Sequence, residues 1–234
     1  MSSISHNLQA VTGRIEAACR AALRNPQTVT LLAVSKTFGP EAVIAAGDAG
    51  QRAFGENYLQ EALDKMAVVR AARPDLSLEW HFIGPIQSNK TRLIAEHFDW
   101  VHSVGREKIA QRLSDQRPAH LPPLNVCLQV NISGEESKSG VAPQQAGDLA
   151  RAVAALPRLK LRGLMAIPEP AGDVEMQRAP LRRLRQLFDA LREQGFALDT
   201  LSMGMSADLE AAIAEGATIV RIGTAIFGKR DYAK

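Results

Sequence analysis

Lys36 ends a β-branched run, Thr28-Val29-Thr30-Leu31-Leu32-Ala33-Val34-Ser35-Lys36. Side chains alternate faces along a strand, so Leu32, Val34 and Lys36 share one face, with Lys36 at the carboxyl end. The turn Thr37-Phe38-Gly39-Pro40 follows, and the other seven lysines fall in predicted helices, loops or strand starts. A lysine withdrawn from water has its pKa lowered, and its neutral amine can attack a carbonyl. Alone, a strand-end lysine reads more readily as a charge snorkelling at a rim.

A second cation changes that reading. In Thr218-Ile219-Val220-Arg221-Ile222-Gly223-Thr224, Ile219, Arg221 and Gly223 share one face and Val220 and Ile222 the other. The β-branched face suits packing against helices, which turns Arg221 inward. If the last strand closes on the first, Lys36 and Arg221 converge at one mouth. Burying two cations there calls for an anion or an acceptor. Glu56 is one candidate counter-ion; a bound anion is the other. Met203-Gly204-Met205-Ser206-Ala207-Asp208 reads as a Gly turn with Ser206 capping the next helix. Gly223-Thr224-Ala225 places a small residue and a hydroxyl beside free backbone N–H groups. Each is ordinary turn chemistry by itself. Together they are the two loops with which barrel enzymes often bind phosphate. A lysine for an aldehyde and donors for a phosphate specify pyridoxal 5′-phosphate (PLP).

The elements that must position these residues alternate strictly. Strands are expected over 28–35, 52–55, 78–83, 100–104, 125–132, 160–167, 200–203 and 218–222. Helices are expected over 40–49, 58–71, 88–97, 106–116, 143–156, 174–194 and 207–215. An extra helix over 4–23 comes first, with Ile4, Leu8, Val11, Ile15 and Ala18 at helical spacing. Such alternation implies parallel strands and right-handed crossovers. Eight units within 234 residues, with no Gly-x-Gly-x-x-Gly after the first strand, favour a single-domain α/β fold over 1–234, a closed (β/α)8 TIM barrel, rather than an open doubly wound sheet.

Composition narrows the function classes. The 46% hydrophobic and 23% charged content is that of a soluble globular protein. No run is apolar enough to span a bilayer, and the first residues lack a signal-peptide pattern. Cys19 and Cys127 make no disulfide framework and fit a reducing, cytoplasmic setting. The net charge of +3, from 20 Arg and 8 Lys against 25 acidic residues, is spread along the chain. The arginines over 178–192 interleave with leucines as the solvated face of an amphipathic helix, so neither nucleic acid nor membrane is expected as a partner. The five histidines show no metal spacing, and His81 reads as a satisfied core histidine. Asn57 could touch the cofactor's phenolic oxygen or simply start a helix.

Several motifs go further. Ala33-Val34-Ser35-Lys36, Phe54-Gly55-Glu56-Asn57-Tyr58, Trp80-His81-Phe82-Ile83-Gly84 and Gln87-Ser88-Asn89-Lys90 resemble the pyridoxal phosphate homeostasis protein family. So do Gly163-Leu164-Met165-Ala166-Ile167-Pro168, Ser202-Met203-Gly204-Met205-Ser206 and Arg221-Ile222-Gly223-Thr224-Ala225-Ile226-Phe227-Gly228. The resemblance covers nearly the whole chain. It implies a barrel like the N-terminal domain of alanine racemase, with Lys36 as Schiff-base lysine and Arg221 opposite the pyridine nitrogen. It also implies Ser206, Gly223 and Thr224 around the phosphate, in a cytosolic protein that maintains vitamin B6 pools without an established enzymatic activity.

An arginine at the pyridine nitrogen disfavours its protonation and makes the ring a poorer electron sink. A racemase also needs an acid on the face opposite the lysine. The chain ends soon after the last strand, and its two tyrosines, Tyr58 and Tyr232, are not obvious acids over the cofactor. The expected role is a PLP buffer or carrier that delivers to apo PLP-dependent enzymes, as a monomer or weak homodimer. A racemase of weak or unusual specificity is the alternative. Lys138, in the loop 133–142, is a conceivable second capture point.

Overall fold

The computed structural model describes residues 3–134 and 139–229. Its eight parallel strands are β1 (Thr30–Val34), β2 (Ala53–Glu56), β3 (Glu79–Phe82), β4 (Trp100–Val104), β5 (Leu124–Gln129), β6 (Leu159–Met165), β7 (Thr200–Ser202) and β8 (Ile219–Ile222). Each pairs with the next in sequence, and β8 returns to β1 through Thr30↔Ile219, Leu31↔Val220, Leu32↔Arg221 and Ala33↔Ile222. That last pairing closes the (β/α)8 barrel and excludes the open sheet. Helix α1 (Ser3–Ala21) precedes the strands; α2 (Pro40–Asp48), α3 (Leu59–Ala72), α4 (Thr91–His97), α5 (Glu107–Gln116), α6 (Ala146–Ala154), α7 (Val174–Glu193) and α8 (Leu209–Ala214) alternate with them.

Several strands stop short of their apolar runs, because a strand lasts only while a neighbour supplies its hydrogen-bond partners. The sixth run extends to Ile167, yet β6 stops at Met165 and Ile167 is 42% exposed at the mouth. A short helix α9 (Thr224–Phe227) after β8 was not expected from sequence; four residues are too few to show a period.

The period-two alternation sorts the strand side chains as read. Leu32, Val34, Ala53, Ile83, Trp100, Cys127, Met165 and Ile219 form a separate cluster within the barrel. Ala33, Phe54, Phe82, Val101, Leu164, Val220 and Ile222 face outward into the larger core under the helices. Each fully buried aliphatic or aromatic side chain contributes about 1.5–3 kcal/mol, so the two faces together carry most of the hydrophobic stabilisation.

Helix α1 buries Leu8, Val11, Ile15, Ala18 and Cys19. It also braces the closing end of the barrel: Asn7 Nδ2 donates to Ile226 O at 2.9 Å, and Arg14 pairs with Glu210 at 2.8 Å. Three of the five α7 arginines have carboxylate partners, Arg178 and Arg182 at Glu215 and Arg185 at Asp189. Cys19 and Cys127 are buried free thiols, and burial pushes Cys127 up to about 12. Among the described residues, no helix is long and apolar enough to cross a membrane, and no cluster could hold a metal.

Close backbone approach makes one glycine indispensable. A Cβ on Gly163 would lie 1.7 Å from Thr200 O, where β6 meets β7. Gly163→Ala is expected to cost about 3 kcal/mol or more in urea unfolding. Gly13, in the middle of α1 with open space around it, gives the contrast: Gly13→Ala should stabilise by about 0.5–1 kcal/mol. Equal responses at the two sites would contradict this packing.

The barrel interior also buries His81 and His102. Burial is the main force holding both imidazoles below their ordinary value of 6.5. The unfolded chain therefore takes up protons below that value while the native fold does not. The sign follows: stability is level above the unfolded pKa and falls as the pH drops through it, by up to about 1.4 kcal/mol per pH unit for each histidine. Thermal melts between about pH 7.5 and about pH 5.5 check this; a melting temperature that rises on acidification would refute it.

Candidate functional site

Lys36 lies just past β1, and the residues on either side of it are held from outside the barrel. Ser35 Oγ donates to Glu56 Oε1 at 2.6 Å. Lys65 Nζ, from α3, donates to Ser35 O at 2.8 Å, to Glu56 Oε1 at 2.6 Å and to Glu61 Oε1 at 3.0 Å. Glu61 Oε1 in turn accepts from Thr37 N at 2.7 Å. Thr37 takes φ 69°, the left-handed region that a β-branched residue avoids. Phe38 N donates to Ser35 O at 3.1 Å and completes the turn. Both neighbours of Lys36 are thus pinned, which fixes where its side chain leaves the backbone.

Glu56, one candidate counter-ion for Lys36 and Arg221, is engaged by Lys65. Glu56 shares the outward face of β2 with Phe54, and its carboxylate pairs with Lys65. Burial pushes the Glu56 carboxyl up, opposed chiefly by the Lys65 charge.

Arg221 points inward from β8 and is 5% exposed. Its Nη1 donates to Ser202 Oγ at 2.8 Å and its Nη2 to Ala166 O at 2.9 Å. Among the described residues no carboxylate pairs with it. Burial pushes its pKa down to about 10, with the Asp208 charge opposing, so it remains a cation at neutral pH.

The turn after β7 is equally constrained. Gly204 takes φ +97°, and a Cβ there would meet Ala212 Cβ at 2.5 Å. Asp208 Oδ1 accepts from Met205 N at 2.6 Å, and Ser206 O accepts from Arg14 Nη2 at 3.3 Å. Ser206 is not the N-cap of α8, as its sequence context suggested. Asp208 holds that position, because its side chain draws the chain into a further turn before the first helical residue. The displacement leaves Ser206 on the wall of a cavity.

Lys36, Asn57, Ser206, Arg221, Gly223 and Thr224 all line that one cavity, of about 260 Å3, at the carboxyl end of the barrel. Val34, Ile83 and Ile167 supply apolar wall. Asn57 Oδ1 is buried there without a hydrogen-bond partner. Gly84 allows the approach, since a Cβ on it would fall 2.2 Å from Asn57 O. A neighbouring cavity of about 310 Å3 shares Asn57, Ile83 and Ile167 and continues over Gln129, Asn131 and Ser139. His81 is the satisfied core residue expected, bonded to Glu79 and His102. His102 and Ser202 were missed by sequence reasoning, although the period-two signal was present: His102 alternates with Trp100 on the inner face. Tyr58 is 55% exposed at the start of α3, and Lys138 and Tyr232 lie outside the described residues.

The ion pair behind Lys36 can be tested directly. Lys65→Met leaves a buried carboxylate without its partner and is expected to cost about 3–5 kcal/mol, measured by urea unfolding. Adding Glu56→Gln should recover part of that loss. A double variant with the full sum of two independent losses would contradict direct coupling.

Residues 5–231 match the family described as alanine racemase, N-terminal domain. The pyridoxal phosphate homeostasis protein of Pseudomonas aeruginosa is 65% identical over 99% of this chain and 98% of its own length. That of Escherichia coli K12 is 56% identical over the whole of both chains. PipY of Synechococcus elongatus, solved with PLP bound, superposes with a TM-score of 0.81 at 35% identity, covering 96% of this chain and 100% of its own. An alanine racemase from Corynebacterium glutamicum shares the fold alone, with a TM-score of 0.71 at 17% identity over 62% of its length. On these matches, which span the barrel from α1 past β8, the chain belongs to the pyridoxal phosphate homeostasis protein family, within the barrels of the alanine racemase N-terminal domain type.

Proposed function

We propose that this chain binds PLP in the cavity formed by Lys36, Asn57, Ser206, Arg221, Gly223 and Thr224, and acts as an intracellular buffer and carrier of the cofactor. The observation that carries the reading is the convergence of those six residues, from four separate segments, on one cavity. PLP, when bound, supplies an aldehyde that condenses with an amine.

The residues present fit that group. Lys36 supplies the amine. Arg221, a buried cation with no carboxylate partner among the described residues, would serve the ring nitrogen as a fixed donor and oppose its protonation. Asn57 lines the same wall, and its amide NH2 is the group suited to donate to the phenolic oxygen. Gly223 lets a phosphate approach the backbone, and Ser206 and Thr224 add hydroxyl donors. Val34, Ile83 and Ile167 would give the ring an apolar wall. Near 260 Å3, the cavity suits a small ligand.

Among the described residues, no tyrosine, histidine or carboxylate lines either this cavity or its neighbour. Nothing there is placed to move a proton on the side away from Lys36, which favours storage and delivery over racemisation. Apo PLP-dependent enzymes are the proposed recipients, in the cytoplasm.

Visible absorption of the purified protein, followed by borohydride reduction and peptide mass analysis, tests the reading. The expected result is a yellow protein whose reduced label maps to Lys36 and is lost in Lys36→Ala. A protein that takes up no PLP in excess, or a label on another lysine, would overturn it. Deuterium uptake at the α-carbon of an amino acid, above the rate with free PLP, would favour the racemase instead.

A further inference from the structure

One hydrogen-bonded chain of side chains runs through the barrel interior. Glu79 Oε1 lies 2.8 Å from His81 Nε2, and His81 Nδ1 lies 2.8 Å from His102 Nε2. His102 Nδ1 lies 2.7 Å from Ser202 Oγ, which accepts from Arg221 Nη1 at 2.8 Å. The chain begins at the amino end of β3, where the Glu79 side chain is 49% exposed, and ends at the cavity wall. His81, His102 and Ser202 between them are at most 1% exposed. The His81 ring also stacks on Trp100, 5.3 Å between centroids and 6° from parallel, which fixes its plane.

The two ends dictate where the protons sit. An ionised carboxylate only accepts, and a guanidinium only donates. A neutral imidazole has one N–H and one acceptor nitrogen. If His81 donates from Nε2 to Glu79, its Nδ1 must accept, so His102 carries its proton on Nε2. His102 Nδ1 then accepts the Ser202 hydroxyl hydrogen, and the Ser202 oxygen accepts from Arg221. Every donor points from Arg221 toward Glu79, and every ring nitrogen has a partner. A second proton on either ring breaks this order: His102 Nδ1–H and Arg221 Nη1–H would both donate to Ser202, and the hydroxyl hydrogen would have to leave the chain.

We propose that Ser202, His102, His81 and Glu79 are positioning residues for Arg221, locking its guanidinium against the cavity and extending to it, through aligned donors, the negative charge of Glu79. Arg221 has no carboxylate partner of its own among the described residues, and its two terminal nitrogens are held by Ser202 and Ala166. The charged and titratable groups facing the chain are consistent with neutral rings. Glu79 and Asp99 lie near His81, His81 and Arg221 near His102, and Asp208 and Cys127 near Arg221. Burial lowers both imidazoles, and at His102 the Arg221 charge lowers it further. Aligned hydrogen bonds in a low-dielectric interior also polarise one another.

The effect on PLP rests on the function proposed above, whereas the proton arrangement does not, so two measurements separate them. The first is nitrogen-15 NMR of the imidazoles in the cofactor-free full chain from about pH 6 to about pH 8. Both His81 and His102 are expected to be neutral with the proton on Nε2 throughout. A charged ring, or a proton on Nδ1 of His102, would overturn the inference. The second follows PLP release and the visible band in loaded Ser202→Ala and Glu79→Ala. Ser202→Ala is expected to speed release about 10-fold, equivalent to about 1.4 kcal/mol, and to move the band. Glu79→Ala, a half-exposed change at the far end of the barrel, is expected to speed release several-fold and to populate the Nδ1–H form of His102. If both variants release PLP at the parental rate with an unmoved band, the positioning role is wrong and the binding function stands. A parental protein that binds no PLP, with the NMR result as expected, would instead remove the function and leave the proton chain.

Discussion

The pairing of β1 with β8, from Thr30↔Ile219 to Ala33↔Ile222, fixes the geometry on which the site depends. Backbone hydrogen bonding sets that register, and the register sets the levels inside the barrel. Leu32 stands opposite Arg221, so Gly223 comes level with Val34, and Lys36 lies one further inward-facing position toward the mouth. Side-chain alternation then turns Lys36, Arg221 and Gly223 to the same interior. A slip of one residue would turn Arg221 into the apolar layer under the helices, where nothing solvates it. The β-branched pair Val220 and Ile222, both fully buried on the outer face, guards against that slip.

Once register brings two cations to one mouth, the fold holds them by different means. Lys36 is held from behind, through a buried ion pair of Lys65 with Glu56 that also grips the Ser35 carbonyl. Arg221 is held from within, by Ser202 and the Ala166 carbonyl, with His102 and His81 behind Ser202. The difference follows from the strand period. The residues flanking Lys36 face outward and can meet a helix, whereas Arg221 faces only other strands. A carboxylate in the barrel centre would bind Arg221 directly and blunt it as a donor to any ligand. Neutral groups instead leave its charge facing the cavity.

Much of this was legible before the fold was known. Thr28 to Lys36 showed both strand and face, as did Thr218 to Thr224, because a period of two needs only neighbours along the chain. The turn that follows Gly204 and the small residue Gly223 were legible as backbone beside the cavity. Strand ends were not, since they depend on how far the adjacent strand extends. The role given to Ser206 changed because Asp208 Oδ1 closes a turn back onto Met205 N, and the first helical residue comes later. Glu56, one residue out of phase with Gly55 and Asn57, faces outward to Lys65 rather than toward the mouth.

The sequence by itself determined the α/β alternation, the inward-facing lysine and arginine, and the family, all of which rest on residue order and local period. Tertiary structure alone decided that Lys65 pairs with Glu56 and that His81, His102 and Ser202 join into one chain. Those contacts link residues 9 to 100 positions apart in sequence. Their geometry depends on barrel closure, strand stagger and the exclusion of water, which no local pattern of residues encodes.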